Sequence, residues 1–157
     1  MKNNQIRLTL IKSAIQPDEQ ADQGKHTFTY SLFPHRGDWR HSAVVEQAYQ
    51  LNAPLLATVI HGNPGGMLPG RFQFLDVDAD HVMVETVKKA EEDRAWIVRV
   101  YEYKQIRSKV NLSFFKPIEK IVECNLIEEE LWPLSHAGRQ VTFRILPYEI
   151  KTFKVWF

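Results

Sequence analysis

Val82-Met83-Val84-Glu85-Thr86-Val87-Lys88-Lys89, then the polar turn Glu91-Glu92-Asp93-Arg94, then Trp96-Ile97-Val98-Arg99-Val100-Tyr101-Glu102-Tyr103: this stretch decides the fold class. Two runs rich in β-branched and aromatic residues flank a short charged connection, and neither carries a helical period. The same rhythm extends outward. Phe72–Leu75 lies on the N-terminal side, and Val110–Phe115, Ile118–Leu126, Val141–Leu146 and Ile150–Phe157 follow, with Lys104-Gln105-Ile106-Arg107-Ser108 as a second solvated connection. About seven strands separated by turn signals predict a compact antiparallel β-sandwich over residues 71–157.

Upstream, His61-Gly62-Asn63-Pro64-Gly65-Gly66-Met67-Leu68-Pro69-Gly70 packs Gly and Pro densely enough to predict a linker over residues 63–70. Before it, Ile6, Leu8 and Leu10 alternate with Arg7 and Thr9, and Phe28, Tyr30 and Leu32 alternate with Thr27, Thr29 and Ser31. Both read as half-buried strands, and Leu55–Ile60 reads as an apolar one. Between them Val44, Val45, Ala48, Tyr49 and Leu51 share a face at helical spacing, which predicts one helix over residues 39–51. Asp38 is placed as its N-cap, with Asn52 and Pro54 as the stop. Residues 1–62 are therefore expected to be the truncated end of a larger β-sandwich, carrying one α-helix.

Composition narrows the function classes. Apolar residues make up 44% and charged residues 25%, ordinary for a folded globular chain. Twenty Lys plus Arg against 19 Asp plus Glu leave a net +1, too little to attract a phosphate backbone or a membrane surface, so neither nucleic acid nor membrane is expected as a partner. The single cysteine, Cys124, excludes an internal disulfide and, within the run Ile121–Leu126, reads as a small buried hydrophobe. No secretory apolar stretch precedes Ile6, and a cytoplasmic location is expected.

Motifs that carry chemistry are scarce. His26, His35, His41, His61, His81 and His136 include no pair at the spacing that puts two ligands on one helix face, so no metal site is expected in this chain. No nucleophile elbow, phosphate loop or dinucleotide fingerprint occurs. Glu91/Glu92 and Glu128/Glu129/Glu130 are adjacent carboxylates, whereas glycoside hydrolysis needs two carboxyls facing each other across a sugar; these read as solvated charge. Trp39, Trp96, Trp132 and Trp156 read as core or domain-interface packing, with sugar stacking as the alternative. No catalytic residue is assigned.

From Ala21 onward a series of motifs accumulates. Ala21-Asp22-Gln23-Gly24-Lys25-His26-Thr27-Phe28-Thr29-Tyr30-Ser31-Leu32-Phe33-Pro34-His35 is followed by Gly37-Asp38-Trp39-Arg40, and further on come Ala48–Leu55, Glu85–Glu91, Val98–Glu102, Glu123–Glu128 and Pro147–Thr152. Together, and in this order, they resemble the C-terminal region of family 38 glycoside hydrolases, the α-mannosidases. The resemblance implies a retaining, zinc-dependent parent that hydrolyses terminal α-mannosyl residues. Its zinc ligands, aspartate nucleophile and acid/base residue would lie in an N-terminal α/β barrel-like domain absent from this chain. An α/β barrel alone takes about 250 residues. On this reading the chain is a non-catalytic C-terminal β-domain fragment and is not itself an enzyme, with zinc and substrate bound only by the full-length protein.

The expected partner is the catalytic domain of the same polypeptide. The resemblance also places the loop Asp22-Gln23-Gly24 near the rim of that active site, where Asp22 and Gln23 offer hydrogen bonds to sugar hydroxyls; shaping the turn before Phe28 is their plainer role. Self-association of the fragment through an uncovered sheet edge is expected. The rival class is a free-standing carbohydrate-binding or protein-interaction β-sandwich.

Overall fold

The computed structural model describes residues 5–62, 65–67 and 69–157. The chain divides into two compact units, Met1–Leu56 and Ala57–Phe157. That division lies upstream of the linker expected at 63–70, and residues 63, 64 and 68 of that linker lie outside the described residues.

In the second unit the strands are β1 (Leu75–Val77), β2 (Val82–Lys89), β3 (Trp96–Glu102), β4 (Ser108–Phe114), β5 (Lys120–Cys124), β6 (Glu130–Pro133), β7 (His136–Ala137), β8 (Gln140–Ile145) and β9 (Ile150–Trp156). They form a four-stranded sheet in the order β1-β4-β8-β7 and a five-stranded sheet in the order β2-β3-β9-β5-β6. Every pairing is antiparallel. The protein is thus mostly β, with the sandwich foreseen from its strand rhythm.

Side-chain alternation builds the core. Val141, Phe143 and Ile145 of β8 point inward, between exposed neighbours, and Val110, Leu112 and Phe114 of β4 do the same. Opposite them stand Val98 and Val100 of β3, Ile121 of β5, and Phe153 and Val155 of β9. Phe143 and Phe153 meet with ring centroids 4.7 Å apart. The outer face of the five-stranded sheet holds a second, small apolar cluster of Ala90, Ala95, Ile97 and Cys124, backed by Trp156.

The sequence reading foresaw seven of these strands and missed β6 and β7. All four residues of β6 and both of β7 are exposed, so no alternation marks them. Both are edge strands, and Pro133 closes β6, as suits an edge that lacks a further partner. The first strand starts at Leu75 rather than Phe72, because Phe72 and Phe74 are drawn into an aromatic cluster with Phe115 (centroids 5.7 and 4.9 Å).

The first unit departs further from expectation. Its helical segment is split into a 3-10 turn at Trp39–His41 and a helix α1 at Val44–Asn52. Asp38 does cap the first piece, its carboxylate accepting from the Arg40 N–H at 2.9 Å. The break follows from Ser42, whose N–H and hydroxyl both donate to the Trp39 carbonyl (3.1 and 2.9 Å), closing the tight turn. Asn52, expected just beyond the helix, is its last residue, and its side-chain amide donates to the Ala48 carbonyl at 2.7 Å.

The strands expected around Ile6–Leu10, Thr27–Leu32 and Leu55–Ile60 do not form. Alternation reports which side chains want cover, whereas a strand exists only when a neighbour accepts its hydrogen bonds. The described residues supply no such neighbour, and Ile6, Leu8, Tyr30 and Leu32 are 63 to 79% exposed. No described residue of the first unit is buried, so its described residues form no core of their own.

Candidate functional site

The loop expected to carry function is built from local turns. Asp18 starts it, its carboxylate accepting from the Gln20 N–H (2.9 Å) and its carbonyl from the Ala21 N–H (3.3 Å). Gln23 N–H then donates to the Gln20 carbonyl. Asp22 sits at φ 59°, a left-handed conformation that Asp tolerates better than most side chains, and Gly24 at φ 121° occupies backbone space in which a side chain would be strained. The His26 ring, stacked on Phe28, donates from Nε2 to the Asp22 carbonyl at 2.7 Å. The turn-forming role of Asp22 and Gly24 is therefore visible, and the side chains of Asp22 and Gln23 are exposed at its outer edge. An exposed carboxylate and carboxamide can exchange hydrogen bonds with sugar hydroxyls.

Three carboxylates of the second unit are committed to structure. Glu102, 2% exposed, accepts four backbone N–H groups, from Lys104 (2.7 Å), Gln105 (3.0 Å), Ile106 (3.0 Å) and Tyr148 (2.8 Å). Burial pushes its pKa up, but the four donors outweigh that and hold it below the ordinary glutamate range. Glu123 accepts from Lys151 (2.6 Å) and from the Trp132 indole (3.2 Å). Asp80 is held low chiefly by the hydrogen bond from Lys104, at 3.0 Å.

Glu128 corrects an expectation. Read as solvated charge, its side chain is only 11% exposed, paired with Lys88 at 2.7 Å and accepting the Glu91 N–H at 3.0 Å. The cause is the fold of the β5–β6 turn, which carries Glu128 back against β2. A general acid in glycoside hydrolysis needs a raised pKa, and Asp38, Asp80, Asp93, Glu102 and Glu128 are all held low.

Cys124 is buried, with its thiol 3.6 Å from the Thr152 carbonyl and its pKa pushed up to about 11 by burial, aided by the nearby Glu128 charge. His81 lies at the sandwich margin with Nε2 2.7 Å from the Ser108 hydroxyl. Trp39 and Trp132 keep 37 and 52% of their surface exposed, while Trp96 packs on Phe74 at 5.0 Å and Trp156 lies under Lys120 at 4.2 Å. Among the described residues no three His, Cys, Asp or Glu side chains gather closely enough to hold a metal ion. No helix among them is long and apolar enough to cross a membrane.

Two antiparallel sheets enclosing one core, with Glu102, Glu123 and Glu128 held in hydrogen bonds and ion pairs, define the second unit as a β-sandwich. Residues 81–153 match the glycosyl hydrolases family 38 C-terminal beta sandwich domain, and that part of the chain belongs to the C-terminal region of family 38 glycoside hydrolases. Alpha-mannosidase G of Dictyostelium discoideum is 32% identical to it over 95% of this chain and 14% of that protein. Alpha-mannosidase 2C1 of Mus musculus is 30% identical over 97% and 15%, and Alpha-mannosidase of Saccharomyces cerevisiae 24% identical over 98% and 16%. The chain thus spans about one-seventh of the length of these relatives.

Proposed function

We propose that this chain is a non-catalytic part of a retaining α-mannosidase, packing against the catalytic domain of the same polypeptide and shaping the rim of its active site through Asp22, Gln23 and Gly24. Hydrolysis of terminal α-mannosyl residues, the zinc ion and the sugar belong, on this reading, to the longer protein, placed in the cytoplasm. The observation that carries it is the alignment of nearly the whole chain with a small share of several α-mannosidases. The lack of any buried residue among the described residues of the first unit supports the packing role, since their apolar side chains want cover that these residues do not provide.

The rim assignment is tested in a chimera of Alpha-mannosidase G whose matching segment is replaced by this chain. Asp22→Ala with Gln23→Ala should raise KM for an aryl α-mannoside several-fold while kcat stays within about twofold, the mark of lost uniform binding. An unchanged KM contradicts the rim role.

A further inference from the structure

At one end of the four-stranded sheet, a half-open cleft of about 280 Å³ lies between the approach to β1, the end of β4 and the β7–β8 turn. From its lining, we infer that it is a binding subsite for a single neutral sugar ring, separate from the Asp22 loop and independent of the reading proposed above. Its volume falls just below the range of small-molecule sites, roughly 300–1,000 Å³, which leaves room for one pyranose rather than a chain.

The walls are fixed by the backbone. Phe115 N–H donates to the Phe74 carbonyl (3.0 Å), Phe114 N–H to the Arg139 carbonyl (2.9 Å) and Ile118 N–H to the Gly138 carbonyl (2.9 Å), which ties the end of β4 to both flanking segments. Gly138, at φ 58°, makes the tight β7–β8 turn that sets Arg139 at the mouth. The Phe115 ring borders the cleft, braced by Phe74 at 4.9 Å and Phe157 at 5.4 Å.

The polar groups select the ligand. Asp76 and Arg139 contribute opposite charges that cancel, so neither a net anion nor a net cation is favoured. Among the described residues the Arg139 side chain has no hydrogen bond or ion pair, leaving its fork of donors open to a guest. Gln73 donates to Asp76 Oδ1 at 3.0 Å, orienting that carboxylate, whose Oδ2 remains to accept. The Ser113 hydroxyl accepts from Gln140 at 3.3 Å and keeps its own proton to donate. Most small-molecule pockets are lined mainly by apolar groups, whereas this one offers a carboxylate, a guanidinium, a carboxamide and a hydroxyl beside two phenylalanines, Phe114 and Phe115. A ligand that satisfies all of them carries several hydroxyls and no charge.

The test is an amide NMR titration of the isotope-labelled full chain with methyl α-D-mannopyranoside, with sodium sulfate run in parallel. Saturable shifts confined to the neighbourhood of Gln73, Asp76, Ser113, Phe115 and Arg139 are expected at millimolar sugar, and none with sulfate. Asp76→Ala and Arg139→Ala should each weaken binding about tenfold or more while the remaining spectrum stays native, and Lys120→Ala should leave it unchanged. Shifts that never saturate, shifts produced by sulfate, or unaltered binding by both cleft variants would overturn the assignment.

Discussion

The carboxylate of Glu102 shows what one side chain contributes here. Four backbone donors converge on it from two loops, and two of the residues concerned, Gln105 and Tyr148, sit in the left-handed region at φ 67° and 59°. Such conformations each cost of order 1–3 kcal/mol and persist only where the surroundings fix them. Glu102→Gln keeps the shape but replaces a charged double acceptor with an amide that turns one N–H toward donors. We expect a loss of about 1–3 kcal/mol, and a fall in Tm of several degrees by calorimetry. Because the native pKa of Glu102 is depressed, its stabilisation is complete above the ordinary value of 4.5 and is lost as pH falls through the native value. The stability gap between Glu102→Gln and the unaltered chain should therefore narrow from about pH 7 to about pH 3; a constant gap contradicts the charge-based account. Cys124 gives a second residue-scale outcome. With its pKa pushed up to about 11 and its side chain buried, it should resist a thiol reagent at neutral pH in the native chain and react at once in denaturant.

At the scale of elements, burial separates what holds the sandwich from what decorates it. Phe153 lies on central strand β9, fully buried, with Phe143 across the core. Phe153→Ala should cost about 3–5 kcal/mol, whereas Leu131→Ser on exposed edge strand β6 should stay within about 0.5 kcal/mol, both measured by denaturant unfolding. The same difference explains what the sequence made legible. Strand β8 alternates perfectly between exposed and buried residues, and β2 spans the very residues its pattern marked. Strand β6 exposes all its residues and therefore leaves no pattern to read. Ile6, Leu8 and Leu10 show the converse: a clear alternation with no ladder, because pairing depends on a partner that the local sequence does not name. Glu102 was equally illegible, since its four donors are backbone groups brought together by two separate loops. Hydrogen exchange should accordingly be fast over residues 5–60 and slow over β3, β4, β8 and β9, and equal protection in both regions would refute the difference.

For the molecule as a whole, the motifs around Asp22, Trp39, Glu85, Val98, Glu123 and Pro147 were informative in a way that no single spacing was. They lie on turns, a helix end and strands of two units, and the chain that carries them is 32 and 30% identical over 95 and 97% of its length to two α-mannosidases. The candidate loop was singled out only through the resemblance that this order carries; its turn chemistry is common to many loops, and Glu102, Glu123 and Glu128, which nothing in the sequence sets apart, are held in hydrogen bonds and ion pairs within the second unit. We propose that this chain completes an α-mannosidase without itself carrying the chemistry. Release of p-nitrophenol from p-nitrophenyl α-mannoside tests it most directly, assayed for the purified chain beside the Alpha-mannosidase G chimera that contains it. The account predicts turnover by the chimera and none by the chain alone, with or without added zinc. Turnover by the purified chain, at a rate that rises in proportion to its concentration and survives further purification, would contradict it.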